Sequence, residues 1–338
     1  MKSSVDIIVL NHNTWRHTIE CLESVMRSDY PSFRVIISDN HSTDDSLERI
    51  RSWLAGGEDV VQVDDVPAAL RVHVSPPVVK PIPFVEGDAG TAFDTGDARV
   101  VILRMPRNAG FAGGNNAALQ LSLREARAGF AWILNNDTVV ASDSLGKLVE
   151  VAESDATIGA VGATLLEYYD PATVQAASGG TVSHTTGTVS HINQIGVGRD
   201  ALDRNTTDFN FVSCCSLLAR RDALEAIGLL DERFFIYAED GDFSLRMLDG
   251  GWRLAYAPDS LVWHKGSQTT IRGSAFNDYH HVRSGLLFVH KWRRRRMPVA
   301  FAYFAYRALA PKLVRRQWSR AAAVLRAFAD VMHEIRAA

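Results

Sequence analysis

The most concentrated chemistry in the sequence is a group of acidic side chains in the segment FIYAEDGDFSLRM, residues 235–247. Glu239, Asp240 and Asp242 stand almost side by side there. Clustered carboxylates repel one another, and burying one costs on the order of several kcal/mol unless a cation or hydrogen bonds compensate. The segment therefore indicates that a cation, or a group that delivers a proton, lies nearby. The N-terminus of a helix, which favours acidic residues, explains the segment equally well on its own.

A second signal comes from polar residues that directly follow apolar, strand-like segments. Ligands of an open parallel sheet bind beyond the carboxyl ends of its strands. Strands are predicted at residues 5–10, 33–38, 98–104 and 130–135, and the residues that follow them are Asn11, His12, Asn13, Asp39, Asn40, Asn108, Asn135, Asn136 and Asp137. A turn is the better explanation for any single one of them. Their recurrence after four successive strands favours a ligand.

The segment RNAGFAGGNNAAL, residues 107–119, is a candidate phosphate-binding loop. It places Gly110, Gly113 and Gly114 just before a helix predicted at 115–127, where free backbone N–H groups can bind a phosphate. A tight turn is the alternative. The glycines do not read G-x-G-x-x-G and they follow the third strand rather than the first, so no nicotinamide cofactor is expected.

The order of the predicted elements explains how these residues come together. Helices are also predicted at 15–28 and after Ser42 or Thr43, either of which can cap the helix. This alternation is typical of an α/β protein whose parallel sheet is covered on both faces. Residues 56–97 are rich in proline and predict turns rather than core elements. The remaining predictions are a helix at 239–249, strands at 252–256 and 260–264, and helices from about 274.

Composition narrows the classes of function. With 338 residues, 46% of them hydrophobic and 22% charged, the chain is an ordinary globular protein, and its net charge of −3 gives no general attraction to nucleic acid. Its three cysteines have neither disulfide-framework nor zinc spacing. The first apolar run is too short for a signal peptide or a membrane span, so a cytoplasmic protein is expected.

Seven segments, taken in order, resemble a bacterial family 2 glycosyltransferase of the rhamnosyltransferase-like branch. They are VLNHNT, ISDNHSTD, NAGFAGGNN, ILNNDT, GLLDERFFIYAEDGDFSLR, GWRLAYAPDSLVWHKGS and YHHVRSGLLFVHKW. The resemblance implies the A-type glycosyltransferase (GT-A) fold, a Rossmann-like α/β sandwich with a mostly parallel central sheet, followed by a C-terminal helical extension. We expect a catalytic domain over residues 1–270, in which a nucleotide-binding half (1–140, with an insertion at 56–97) precedes an acceptor-binding half (141–270). The extension would be 271–338.

The same resemblance assigns roles to residues. It implies inversion at the anomeric carbon of a nucleotide-diphosphate sugar, with Mg²⁺ or Mn²⁺ as cofactor. Asp240 is the expected catalytic base, and Asp137 and His264 are the expected metal ligands. Glu239 and Asp242 are expected to help bind the acceptor or to orient the loop. The residues expected to bind the donor are Asn11, Asp39, Asn108, Gly110, Phe111, Gly113, Asn116, Asn135 and Asn136. Asn135 replaces the first aspartate of the family's D-x-D motif, so Asp137 is the only carboxylate ligand from that motif.

The expected donor is dTDP-L-rhamnose, with a UDP-sugar next, and the expected acceptor is a hydroxyl of a glycan or lipid-linked glycan in cell-surface polysaccharide synthesis. Two other functions fit the sequence less well. A sugar-1-phosphate nucleotidyltransferase would carry a glycine-rich arginine-lysine signature after the first strand, where this chain has NHNTW. A non-catalytic module that binds sugar or a membrane surface would have lost Asp137 or Asp240, and both are present.

The C-terminal region is basic, and it admits two interpretations. Four arginines at 293–296 precede an apolar stretch at 299–310 that is too short to span a bilayer. Peripheral contact with the inner face of the cell membrane would insert the aromatic side chains Phe301, Tyr303, Phe304 and Tyr306. Alternatively, the helices pack on the catalytic domain or on a second subunit of a homodimer. Nucleic-acid binding is not expected, since no recognition module accompanies the arginines.

Overall fold

The computed structural model of the chain describes residues 3–57, 61, 63–191, 197–207, 209–266 and 273–337. Its strands are β1 Val5–Asn11, β2 Phe33–Asp39, β3 Phe84–Asp88, β4 Val100–Arg104, β5 Phe130–Asn135, β6 Thr138–Val140, β7 Ile158–Glu167, β8 Thr173–Ala177, β9 Gly179–Val182, β10 Val189–His191, β11 Val197–Gly198, β12 Phe211–Val212, β13 Ser216–Arg220 and β14 Arg253–His264. The helices are α1 Trp15–Val25, α2 Ser46–Ala55, α3 Arg71–Val74, α4 Gly110–Glu125, α5 Ser144–Ser154, α6 Arg221–Ile227, α7 Glu239–Asp249, α8 Ala275–Arg293, α9 Met297–Phe304, α10 Ala310–Val314 and α11 Trp318–Ala337.

A large central sheet organises the fold. Its strands lie in the order β11-β8-β7-β13-β5-β1-β2-β4-β3, with β14 paired to β7 and β6 beyond this path. The neighbours β5, β1, β2, β4 and β3 are parallel, whereas β13 runs antiparallel between β5 and β7. The register places Asn11 opposite Asp39 and Leu10 opposite Asn135. Three strands therefore end at the same level of the sheet.

Alternating side chains of the parallel strands enter two separate cores. Ile7 and Val35 pack beneath α1 and α2, and the next residues along, Ile8 and Ile36, pack on the opposite face with residues of α4 and α7. Because both faces are buried, these strands are continuously apolar rather than alternating. The predicted α/β fold with a mostly parallel, doubly covered sheet is confirmed.

Several local predictions were wrong. Residues 56–97 contribute more than turns, because β3 lies among them and extends the sheet in parallel with β4. Neither Ser42 nor Thr43 caps α2, which begins at Ser46; the Ser42 hydroxyl donates a hydrogen bond to Asp39 instead. The helix predicted at 115–127 begins at Gly110, so the glycines form its first turns. One bulged strand, β14, replaces the two predicted after residue 252.

The C-terminal helices share a core with the α/β part of the chain. Buried side chains of α8, α9 and α11 pack together with Leu245 of α7. Phe304 of α9 is 1% exposed and lies against Gly285 of α8, where an added Cβ would come within 2.5 Å of its ring. The expected insertion of Phe304 into a membrane is therefore wrong, although Tyr306 is 73% exposed. No helix within the described residues has both the length and the apolar character needed to cross a bilayer.

Truncation of Phe304 tests whether this core stabilises the whole protein. Phe304→Ala should lower the free energy of unfolding by about 3–5 kcal/mol, because it leaves a cavity between α8 and α9. Tyr306→Ala, two residues away on the exposed side, should change it by less than about 0.5 kcal/mol. Urea denaturation followed by circular dichroism measures both values. Equal, small effects would mean that the helices do not pack as described.

Candidate active site

A cavity of about 340 Å³ lies at the carboxyl ends of the parallel strands. Eleven of the residues singled out in the sequence line it: His12, Asn40, Asn108, Gly110, Phe111, Asn135, Asn136, Asp137, Glu239, Asp240 and His264. A larger open groove of about 840 Å³ lies against the proline-rich residues 76–83, but none of its lining residues is acidic. The smaller cavity is therefore the one in which carboxylates and a histidine converge.

Asp137 and His264 meet at one wall of this cavity. Antiparallel pairing of β14 with β6 places His264 opposite Thr138, and its Nε2 lies 3.2 Å from Oδ1 of Asp137. Its Nδ1 lies 2.7 Å from the side-chain oxygen of Gln175, which fixes the orientation of the ring. Burial disfavours the imidazolium, but the neighbouring Cys215 and Asp137 outweigh it, so the pKa of His264 is raised well above its usual value.

This pair fits a divalent cation that takes its other ligands from elsewhere. Within the described residues, no three His, Cys, Asp or Glu side chains are grouped as a complete metal cage. A carboxylate oxygen and an imidazole nitrogen at 3.2 Å are close enough to coordinate one ion together. Mg²⁺ is commonly held by one or two protein carboxylates, with substrate phosphates and water completing the shell. The site is therefore compatible with an ion delivered together with a diphosphate.

A chain of hydrogen bonds runs beneath the cavity across three strands. The Asn136 amide donates to the Thr18 hydroxyl (2.8 Å), Thr18 donates to the side-chain oxygen of Asn11 (2.8 Å), and the Asn11 amide donates to Asp39 (2.8 Å). Asp39 also accepts from the Ser42 hydroxyl and backbone N–H. Asn11 and Asp39 are buried and are not among the lining residues. They hold the strand ends in place.

The glycine-rich loop is fastened to the segment that precedes α7. Gly110 has φ +74°, and a Cβ there would lie 2.3 Å from the carbonyl oxygen of Phe235, so only glycine fits. The same oxygen accepts a hydrogen bond from the N–H of Phe111 (2.7 Å). Tyr237 and Ala238 then adopt positive φ angles of 69° and 68°, an uncommon conformation for residues with a side chain. This path delivers the first turn of α7 into the cavity.

The three acidic residues of α7 occupy three different environments. Asp240 is half-buried and lines the cavity. Glu239 is 6% exposed, no described group hydrogen-bonds its Oε2, and burial together with the charge of Asp240 raises its pKa well above the usual value. Asp242 is fully buried. Its carboxylate forms ion pairs with Arg246 (2.9 Å) and Lys291 (2.6 Å) and accepts a hydrogen bond from the indole N–H of Trp292 (2.9 Å). The repulsion expected from the sequence is relieved differently for each carboxylate.

Comparison with known proteins identifies the family. The chain matches the model of "Glycosyltransferase like family 2" over residues 87–283 and that of "Glycosyl transferase family 2" over residues 6–65. The chain belongs to glycosyltransferase family 2. The predicted family is thus confirmed, and both family models identify the chain as a glycosyltransferase.

Individual relatives are more distant. Two N-acetylglucosaminyl-diphospho-decaprenol L-rhamnosyltransferases from strains of Mycobacterium tuberculosis are each 32% identical over 91 residues, and the match covers 27% of this chain and 30% of theirs. Among solved structures, the mannosyltransferase PcManGT from Pyrobaculum calidifontis, in complex with GDP-Man and Mn²⁺, has a TM-score of 0.54 and 16% identity, covering 98% of this chain and 88% of its own. GalNAc-T7 with UDP, GalNAc and Mn²⁺ has a TM-score of 0.51 and 14% identity, and the match covers 93% of this chain and 57% of GalNAc-T7. These two structures confirm the GT-A fold.

Besides Asn11 and Asp39, three further predicted site residues of this glycosyltransferase lie outside the cavity lining. Asn116 exchanges hydrogen bonds with the backbone of Leu230 and donates to Glu232. Gly113 allows close packing, since a Cβ there would lie 2.7 Å from that of Ala109. Asp242 faces the cations named above. These three residues could influence substrate binding only by positioning the neighbouring loops.

Several lining residues were missed by sequence reasoning. They include Ser213, Cys214, Cys215, Phe235, Tyr237 and Phe276. The spacing of the cysteines was examined only for disulfide bonds and zinc. The small and polar residues 213–215, directly before β13, are a local signal for a loop that could line a site. Phe276, at the cavity rim, packs at a tilt against the ring of His280, with the ring centroids 4.3 Å apart. Burial and nearby arginines lower the pKa of His280 to about 4. No local pattern distinguishes that ring from a core residue.

The different surroundings of Asp240 and Asp242 predict that the same substitution has very different effects on stability at the two positions. Asp242→Asn should lower the free energy of unfolding by roughly 2–3 kcal/mol, because Lys291 and Arg246 lose a buried counter-charge while remaining partly solvated. Asp240→Asn should leave it within about 0.5 kcal/mol of the parent. Thermal or urea unfolding compares the two variants, and a larger loss in Asp240→Asn would contradict the assigned environments.

Proposed function

We propose that this glycosyltransferase transfers a sugar with inversion from a nucleotide-diphosphate sugar to an acceptor hydroxyl, with Asp240 as the base. The observation that carries the proposal is the convergence of Asp240, Asp137 and His264 on one cavity at the strand ends. Direct displacement at a sugar carbon needs a base for the acceptor proton on one side and charge stabilisation of the leaving diphosphate on the other. These residues can supply both.

Asp240 is suited to take up a proton. Its side chain is reached from the cavity, and the Gly241 N–H donates to its Oδ1 (2.8 Å), which orients the carboxylate. The raised pKa of Glu239 favours the protonated form of that residue, so less like charge stands next to Asp240. Neighbouring carboxyl groups in different environments can divide acid and base character in this way.

The opposite wall would hold the donor. Asp39, anchored by Asn11 and Ser42 just beneath the cavity, is proposed to contact the base or ribose. The N–H groups of Gly110 and Phe111 already donate to Asn108 and to the carbonyl of Phe235, so the cation rather than the start of α4 is proposed to meet the phosphates. A divalent cation such as Mg²⁺ or Mn²⁺, held by Asp137 and His264, would offset the charge that grows on the leaving diphosphate. The Mn²⁺ and nucleotide complexes of PcManGT and GalNAc-T7 support this part of the proposal.

The curated relatives suggest the substrates. Their names specify an L-rhamnosyl transfer to N-acetylglucosaminyl-diphospho-decaprenol. We therefore propose dTDP-L-rhamnose as the first donor to test, with UDP-sugars next, and a lipid-linked glycan as the acceptor. Family membership disfavours a nucleotidyltransferase, and the retained Asp137 and Asp240 disfavour a module without catalytic activity.

Substitution of the proposed base should stop transfer without preventing donor binding. We expect Asp240→Asn to reduce turnover by roughly 10²- to 10⁴-fold, because the amide keeps the shape but cannot accept the proton. The matched control is Glu239→Gln, which resembles the protonated glutamic acid and should stay within several-fold of the parent. Turnover and donor affinity are measured for both variants. Near-parental turnover of Asp240→Asn would remove the residue from the proposed role.

Asp137 and His264 should act as one unit. Asp137→Ala and His264→Ala are each expected to weaken Mn²⁺-dependent binding of a nucleoside diphosphate, and the double variant should be little worse than either alone because both act through one ion. Calorimetric titration with and without Mn²⁺ measures the effect. Fully additive losses, or an unchanged Mn²⁺ dependence, would show that the two residues do not share an ion.

A further inference from the structure

Helix α11 has apolar side chains on two opposite faces. The inner face packs against α8 through Val324, Ala327 and Val331, which are fully buried. On the outer face, Trp318, Ala322, Leu325, Ala329 and Met332 recur at alternating spacings of four and three residues, and all of them are exposed. Trp318 is 64% exposed and Leu325 is 51% exposed. The outer stripe is therefore continuous along the helix.

The end of α10 adds to this surface. Leu313 and Val314 stand just before the turn that leads into α11, and Val314 is 83% exposed. We call these two residues and the outer stripe of α11 the outer face. Single exposed apolar residues are common, but a contiguous row of them marks a site of interaction.

The charge around the outer face is positive. Residues 291–338 contain twelve lysines and arginines but two acidic residues, in a chain whose net charge is −3. Arg315, Arg316 and Arg326 are exposed beside the outer face. The two acids are already engaged, Asp330 with the hydroxyl of Tyr279 (2.6 Å) and Glu334 with Arg283 (2.5 Å). An anionic partner is favoured on these grounds.

The outer face is anchored close to the mouth of the active-site cavity. Asp278, in the first turn of α8, pairs with Arg320 of α11 (2.6 Å) and with Lys312 of α10 (3.0 Å). Phe276, two residues before Asp278, lines the cavity and is 47% exposed. A flat partner seated on the turn between α10 and α11 would thus lie next to the cavity opening.

We propose that the outer face docks the enzyme on an anionic membrane surface, with α11 lying along the interface and the arginines contacting lipid phosphates. Apolar side chains along one side of a helix, flanked by basic residues, are the pattern of an interfacial helix. A second copy of the chain fits less well, because a two-fold axis through α11 would bring its arginines against those of the partner. Membrane docking itself does not depend on the proposed function. Only its benefit rests on that function, because docking would present the cavity to a lipid-linked acceptor.

Vesicle flotation tests the docking with the full chain and without donor or acceptor. The protein should float with phosphatidylcholine vesicles that contain phosphatidylglycerol and far less with phosphatidylcholine alone. Trp318→Ser combined with Val314→Ser should reduce binding at least tenfold. Arg315→Gln combined with Arg316→Gln should reduce it mainly at low ionic strength, where charge attraction is screened least.

Matched controls remove equally exposed groups elsewhere. Val79→Ser with Tyr169→Ser, and Arg124→Gln with Arg199→Gln, should float like the parent. Equal binding to both vesicle types, no binding, or equal losses in control and outer-face variants would overturn the proposal. The proposal would also fail if the parent did not bind vesicles but formed a dimer, and the combined Trp318→Ser and Val314→Ser variant were a monomer. Turnover in detergent is measured separately, so failure of docking and failure of the proposed function are distinguishable.

Discussion

The parallel register of β1 with β2 and β5 is the constraint on which the site depends. Because the register pairs Asn11 with Asp39 and Leu10 with Asn135, residues that are distant in sequence reach the same edge of the sheet. The hydrogen bonds from Asn136 through Thr18 and Asn11 to Asp39 then lock that edge. A shift of one strand by one residue would turn these side chains toward the other face. The Asp137–His264 pair depends on the same edge, since β6 follows β5 directly.

The C-terminal helices take part in building the site as well as extending it. Lys291 and Trp292 of α8 hold the buried carboxylate of Asp242 in α7. The first turn of α7 also carries Asp240. The buried charge is thus compensated by residues that follow the central sheet in sequence. A variant that lacked α8 would expose Asp242 and loosen the helix that positions the proposed base. The boundary proposed near residue 270 therefore does not mark an independent unit.

Sequence reasoning recovered the parts of the site that local pattern controls. Continuous apolar strands followed by Asn11, Asp39, Asn108 and Asn135 predicted the sheet and the edge at which the cavity lies. The roles proposed for Asp240 and His264 came from resemblance to a family, because neither spacing nor residue type specified them. Features that arise from long-range packing escaped prediction. β3 is a short strand that follows closely spaced prolines, and Phe276 reaches the cavity only because α8 packs beside α7.

The most direct test of the account is the position of manganese in a crystal grown with Mn²⁺ and a nucleoside diphosphate. The anomalous signal of the ion should lie between the carboxylate of Asp137 and Nε2 of His264, with diphosphate oxygens on the same ion and Asp240 facing the open side of the cavity. A diphosphate bound elsewhere, or an ion that contacts neither residue while His264 still lies against Asp137, would contradict the proposed donor site.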